Sequence, residues 1–202
     1  MDRSSLAAVT IALTIALCPT TASAQSSEAT LHYGVMGGAT IPLKDFATAA
    51  NVGWNAGALV AFGPSHSPLS FRVDLQWLQL NGKQVAVSQN AYQKTDFRFI
   101  DGTVNALYSL PSSARAKVYV IGGAGVYNEH AKERDFNGTW GDTKIGFNGG
   151  AGVRFPLGRH AGFIEARYHF IIHGSDIGNV YTLYGTPAHS LQIIPISAGI
   201  VF

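Results

Sequence analysis

Leu69-Ser70-Phe71-Arg72-Val73-Asp74-Leu75-Gln76-Trp77 places an apolar residue at every odd position and a polar one at every even position. A helix would group residues three and four apart. Strict alternation instead marks a β-strand with one face in an apolar medium and the other in polar company. The pattern recurs along the chain in eight segments, at about 30–41, 53–63, 69–80, 96–110, 117–128, 144–156, 161–172 and 190–202. Segment 53–63 sets Trp54, Ala56, Ala58, Val60 and Phe62 on one face. Segment 144–156 sets Ile145, Phe147, Ala151, Val153 and Phe155 against Asn148, Gly150, Gly152 and Arg154, and segment 161–172 sets Ile164, Ala166, Tyr168 and Phe170 against Glu165, Arg167 and His169. Two segments depart from this. In 96–110, Phe97 and Phe99 have one parity and Ile100, Val104, Ala106 and Tyr108 the other, which predicts a β-bulge near Phe99 to Asp101. Segment 117–128 is apolar on both faces and carries no orientation of its own.

The composition agrees with a folded chain. Of 202 residues 47% are hydrophobic and 13% charged, at a net charge of +2. Disorder needs lower hydrophobicity and nucleic-acid binding a larger basic excess, so neither fits, and the length suits one domain. Residues 1–24 read as a secretory signal: Arg3 is the positive end, Leu6 to Leu17 the apolar run, and Ala22-Ser23-Ala24 the small-residue cleavage site before Gln25. The one cysteine, Cys18, lies inside that segment between Leu17 and Pro19, without the small preceding residue a lipoprotein needs. The mature domain, 25–202, then has no disulfide and no thiol chemistry. It has no run of eighteen apolar residues, so no transmembrane helix is expected.

The connections alternate in length: 42–52 long, 64–68 short, 81–95 long, 111–116 short, 129–143 long, 157–160 short, 173–189 long. In an up-and-down meander alternate connections share an end, so the short turns gather at one end and the long loops at the other. Membrane barrels of the outer membrane have this asymmetry. They also turn the apolar face outward. Trp54 and Phe62, Phe71 and Trp77, and Phe147 and Phe155 are pairs eight or six residues apart on that face. Eight residues at a tilt of about 40° span about 20 Å, which suits the two aromatic girdles of a lipid-facing band. The polar face collects Arg72, Asp74, Gln76, Asp101, Asn105, Asn148, Arg154, Glu165, Arg167 and His169. Eight strands leave an interior that side chains fill, so Arg72, Asp74, Arg154, Glu165, Arg167 and His169 are expected to form an interior polar network.

Ile194-Pro195-Ile196-Ser197-Ala198-Gly199-Ile200-Val201-Phe202 resembles the closing strand of bacterial outer-membrane barrels, with a terminal aromatic and apolar residues at alternate positions before it. Residues 117–127 and 146–158 resemble the fifth and sixth strands of the small outer-membrane-protein beta-barrel domain family, of OmpA/OmpX type, and Glu165-Ala166-Arg167-Tyr168-His169 its seventh. The resemblance covers essentially the whole mature chain. It implies an eight-stranded antiparallel transmembrane β-barrel in the outer membrane of a Gram-negative-type bacterium. It also implies an assembly signal in Phe202, Ile200, Ala198 and Ile196 read by the barrel assembly machinery. No peptidoglycan-binding domain is expected, since the chain stops at the barrel.

Few residues suggest chemistry. Gly122-Gly123-x-Gly125 and Gly149-Gly150-x-Gly152 do not complete a dinucleotide fingerprint or open a helix; they give strands room to curve around large inward neighbours. His173-Gly174-Ser175-Asp176 resembles the H-x-S-N stretch of the lipid A deacylase family, which would make His173 a base and Ser175 a nucleophile, with Asp176 in place of the Asn. The glutamate that orients the base in that family has no counterpart, since 177–202 contains no acidic residue. Only His169 and His173 among the seven histidines are four apart, a spacing that converges on a helix and not on a strand, so no metal is expected. Trp140 in 129–143 suits an interfacial girdle or a partner anchor, and Asn137-Gly138-Thr139 is a sequon with no reason for use in a bacterial barrel.

The sequence therefore predicts a non-catalytic barrel without cofactor, embedded in outer-membrane lipid, monomeric, with a structural or surface-binding role through residues 81–95 and 129–143. The alternatives are a lipid A hydrolase using His173 and Ser175, a small-solute channel, and a soluble periplasmic barrel around an apolar ligand.

Overall fold

The computed structural model describes residues 29–64, 67–88, 91–133, 139–172 and 190–202. Within them the chain forms β1 (Ala29–Pro42), a one-turn helix α1 (Phe46–Ala49), β2 (Gly53–Pro64), β3 (Leu69–Leu80), β4 (Gln84–Ser88), β5 (Ala91–Ser109), β6 (Lys117–Glu133), β7 (Thr139–Leu157), β8 (His160–Ile172) and β9 (Ser190–Val201). Each strand is antiparallel to the next. β1 closes on β9 from Gly34 opposite Val201 to Pro42 opposite Ile193. β3 passes directly to β5, from Leu69 opposite Tyr108 to Leu80 opposite Phe97. β4 pairs only with the upper part of β5 and stands outside the ring, which has eight strands. Closure gives the backbone groups of the ring partners on both sides, the condition for crossing lipid with strands.

The outward face is apolar and the inward face polar. Leu31, Val35, Leu75, Val104, Ile145, Phe147 and Ile164 are exposed, whereas Arg72, Asp74, Asp101, Asn105, Glu165, Arg167 and His169 are buried. A soluble barrel would show the reverse, and the expectation of an apolar-ligand carrier falls on this inversion.

Three local expectations need correction. Segment 96–110 has no bulge: β5 keeps an unbroken register with both β3 and β6. Phe97 and Phe99 point inward in phase with Asp101, Thr103 and Asn105. What changes above Asp101 is the interior itself, from polar to apolar, so apolar residues on both faces imitate a slip of phase. Segment 81–95 is not all loop, because β4 and the start of β5 pair there, Gln84 opposite Lys94. Segment 129–143 is likewise built largely of strand, with Glu129 opposite Asp142 and Lys132 opposite Thr139. Charged residues are allowed on a strand's outer face once it has left the lipid, which is why that stretch reads as a loop. The orientation of 117–128 is settled: Tyr119, Ile121 and Tyr127 are buried inside, and Val118, Val120 and Val126 face outward.

The lumen is layered. At the long-loop end α1 tucks Phe46 between Phe97 and Phe99, with edge-on ring distances of 4.9 and 6.1 Å, over Leu78, Leu80, Ile171, Leu191 and Ile193. At the short-turn end Met36, Leu59, Phe163 and Val201 form a second apolar layer. Arg72, Asp74, Asp101, Glu165, Arg167 and His169 lie between.

Candidate functional site

β3 and β8 face each other across the ring, and each presents two charged side chains two residues apart on its inner face. Arg72 donates from both terminal nitrogens to Glu165, at 3.0 and 2.7 Å. Arg167 donates to Asp74 Oδ2 at 2.8 Å. Along each strand the charges also touch: Arg72 Nε is 2.8 Å from Asp74 Oδ1, and Arg167 Nε is 2.9 Å from Glu165 Oε1. The result is a checkerboard of two cations and two anions with no net charge, in which every charge has two opposite neighbours. Such an arrangement offsets the desolvation of four buried ions only because nearly every atom is paired. Tyr119 donates its hydroxyl to Glu165 at 2.7 Å, and Asn105 Nδ2 donates to Asp74 Oδ2 and Thr103 Oγ1, both at 2.9 Å.

The structure thus joins four of the six residues expected in the network. Arg154 stands apart, its guanidinium 5.8 Å from the centre of the Tyr119 ring. His169 lies one step toward the loop end, with Nδ1 2.9 Å from the Tyr127 hydroxyl. Gln76, Asp101, Asn148 and the His169 Nε2 atom are buried around it without a hydrogen-bond partner. A second polar group escaped the sequence reading: Asn55 donates to the Ala39 carbonyl at 2.9 Å and to Thr40 Oγ1 at 3.2 Å, and accepts from Ser197 at 2.8 Å. It ties β1, β2 and β9 together at the seam. The signal was present in the alternation, where Asn55 sits between Trp54 and Ala56.

Large inward side chains are accommodated by glycines on the neighbouring strand. A Cβ on Gly146 would come within 2.8 Å of the Tyr127 ring, and one on Gly152 would fall on the Tyr119 hydroxyl. The glycine clusters therefore shape the lumen.

Trp54, Phe62, Phe71, Trp77 and Phe147 are exposed on the outer face, with Phe62 and Phe71 stacked at 5.8 Å, and Phe155 is half-buried there. Ile196, Ala198, Ile200 and Phe202 also face outward in alternation. Phe202 donates its N–H to the Tyr33 carbonyl at 2.8 Å, and its ring meets those of Tyr33 and His160. Residues 1–24, with Cys18, and the stretch holding His173, Ser175 and Asp176 lie outside the described residues, as do Asn137 and the side chain of Trp140. Among the described residues no three His, Cys, Asp or Glu side chains are grouped to hold a metal.

The family model described as "Outer membrane protein beta-barrel domain" matches residues 10–185. No curated protein matches. Among solved structures, Neisserial surface protein A is similar at a TM-score of 0.58 and 15% identity, over 86% of this chain and 97% of that one. A major outer membrane protein from Thermus thermophilus is similar at 0.53 and 10% identity, over 86% and 98%. Similarity at these identities is similarity of fold. The closed eight-stranded ring, its apolar outside and the family match together establish that the chain belongs to the outer membrane protein beta-barrel domain family and is a barrel of the outer membrane.

Proposed function

We propose that the chain is a non-catalytic barrel that acts at its surface end, binding a partner through residues 81–95 and 129–143. The filled lumen carries this reading. An apolar layer closes each end of the charged core, and the core is a neutral, mutually bonded cluster, so a solute path would require breaking buried ion pairs. That weighs against the small-solute channel. The β4–β5 hairpin and the upper parts of β6 and β7 rise on one side of the mouth. From Asn128 to Glu133 β6 climbs about 13 Å beyond its apolar stretch, enough to leave the hydrocarbon and pass through the headgroup layer.

In the same reading residues 1–24 are removed on export, leaving 25–202 as the working domain and a monomer. Phe202, Ile200, Ala198 and Ile196 address the chain to the barrel assembly machinery. Trp54, Trp77 and Phe147 mark one lipid boundary and Phe62, Phe71 and Phe155 the other.

The test compares the protein with a variant in which residues 134–138 are replaced by Gly and Ser, each first checked for a gel shift on boiling. Planar-bilayer recordings of both should lack discrete conductance steps, and cells carrying the variant should lose attachment on an array of surface glycans and proteins. Conductance steps, or no difference on the array, would overturn the proposal.

A further inference from the structure

The outer face of the barrel changes character abruptly at the loop end, and on two strands it becomes basic. On β5 the outward series passes from Ile100 to Arg98, Asp96 and Lys94, and on β6 from Val126 to Asn128, His130 and Lys132. Arg98 is opposite His130, and Asp96 is opposite Lys132, so Arg98 and Lys132 are diagonal neighbours. At the same rim β1, β2, β8 and β9 offer Ile41, Trp54, Ile172 and Gln192, without a charge. The Arg98 guanidinium lies 5.1 Å from the centre of the Trp77 ring, which fixes the cation at the edge of the apolar band. Its Nε atom is buried without a partner, and Arg98 and Lys132 form no ion pair among the described residues. Asp96 is engaged elsewhere, accepting the Gly82 N–H at 3.1 Å.

We infer that Arg98 and Lys132, supported by Trp77 and flanked by Lys94, form a binding site on the outside of the barrel for the phosphorylated headgroup of an outer-leaflet glycolipid. The height and charge select this occupant. A guanidinium and an ammonium held side by side at the lipid boundary meet the phosphate of a lipid whose acyl chains lie along the apolar face below. A free anion would find the ammonium without needing the aromatic support or the apolar wall.

The full chain, folded in detergent, is titrated with bisphosphorylated lipid A and followed by native mass spectrometry. Each of Arg98→Gln and Lys132→Gln is expected to weaken binding about fivefold and the pair about 25-fold, from the contribution of one basic residue near an anionic lipid surface. Arg159→Gln, at the short-turn end, should leave binding unchanged. Arg98→Lys keeps the charge and loses the planar fork, so it should bind the lipid more weakly than wild type but more tightly than Arg98→Gln, and its deficit against wild type tests the site by itself if the glutamine variant does not fold. Equal binding of dephosphorylated lipid A, or unchanged affinity in the folded double variant, overturns the site. Displacement of the lipid by equimolar inorganic phosphate would show a free-anion site and overturn the choice of occupant.

Discussion

Arg72 and Glu165, 93 residues apart in sequence, share two hydrogen bonds across the barrel interior. Arg72→Met leaves Arg167 alone against Asp74 and Glu165, a net buried negative charge. The loss of stability is expected to be about 3–5 kcal/mol, measured by urea unfolding in micelles. Arg72→Met with Glu165→Gln restores neutrality through the remaining Arg167–Asp74 pair, so the double variant should be more stable than Arg72→Met. A double variant no better than the single one would mean that the four charges are not coupled.

Tyr119→Phe removes one donor from Glu165 and leaves both arginines in place. A loss of about 1–3 kcal/mol is expected, the cost of a hydrogen bond to a buried charge, and its urea midpoint should lie between those of wild type and Arg72→Met.

Gly149 and Gly150 are adjacent and should behave oppositely. A Cβ on Gly150 would fall on the Ala166 carbonyl oxygen, far inside van der Waals contact, whereas one on Gly149 has the Ile121 oxygen as nearest atom, at 3.9 Å. Gly150→Ala should cost about 2 kcal/mol or more, and Gly149→Ala should stay within about 0.5 kcal/mol of wild type in the same urea titration.

Val104 lies outward, midway along the apolar stretch of β5, and Thr143 lies outward above that of β7. Arginine at Val104 is expected to cost about 2–4 kcal/mol and at Thr143 about 0–1 kcal/mol, following the depth dependence of charge on a lipid-facing strand. Refolding yields into vesicles, scored by the gel shift on boiling, check the ranking. Equal yields would place the membrane elsewhere on the barrel.

Where the lumen is charged, the sequence was legible: Arg72, Asp74, Glu165 and Arg167 alternate with lipid-facing residues, and polarity alone separates inside from outside. It fails where the lumen is apolar. Phe97 and Phe99 face other protein side chains and Ile100 and Val104 face lipid, two media that select the same residue types. Tyr119, Ile121 and Tyr127 hide in 117–128 for the same reason, and with them the hydroxyl that completes Glu165. The extensions of β6 and β7 were missed for the converse cause, since Glu129, Lys132 and Asp142 stand on strand above the hydrocarbon. The partner choices within the charged set, which leave Arg154 over an aromatic ring, depend on how far the strands slip past each other in the closed ring, and alternation holds no record of that offset.

The seam where Gly34 meets Val201 imposes an order on the life of the chain. β1 must wait for β9 before either has both of its edges filled, so no shorter stretch of the ring is a smaller version of the finished object. A partly formed barrel is open at a single place, and that opening persists until β9 has joined β1. Shortening the chain by a single β9 would therefore not trim the structure but leave β1 and β8 as two sticky margins, ready to recruit each other from different molecules.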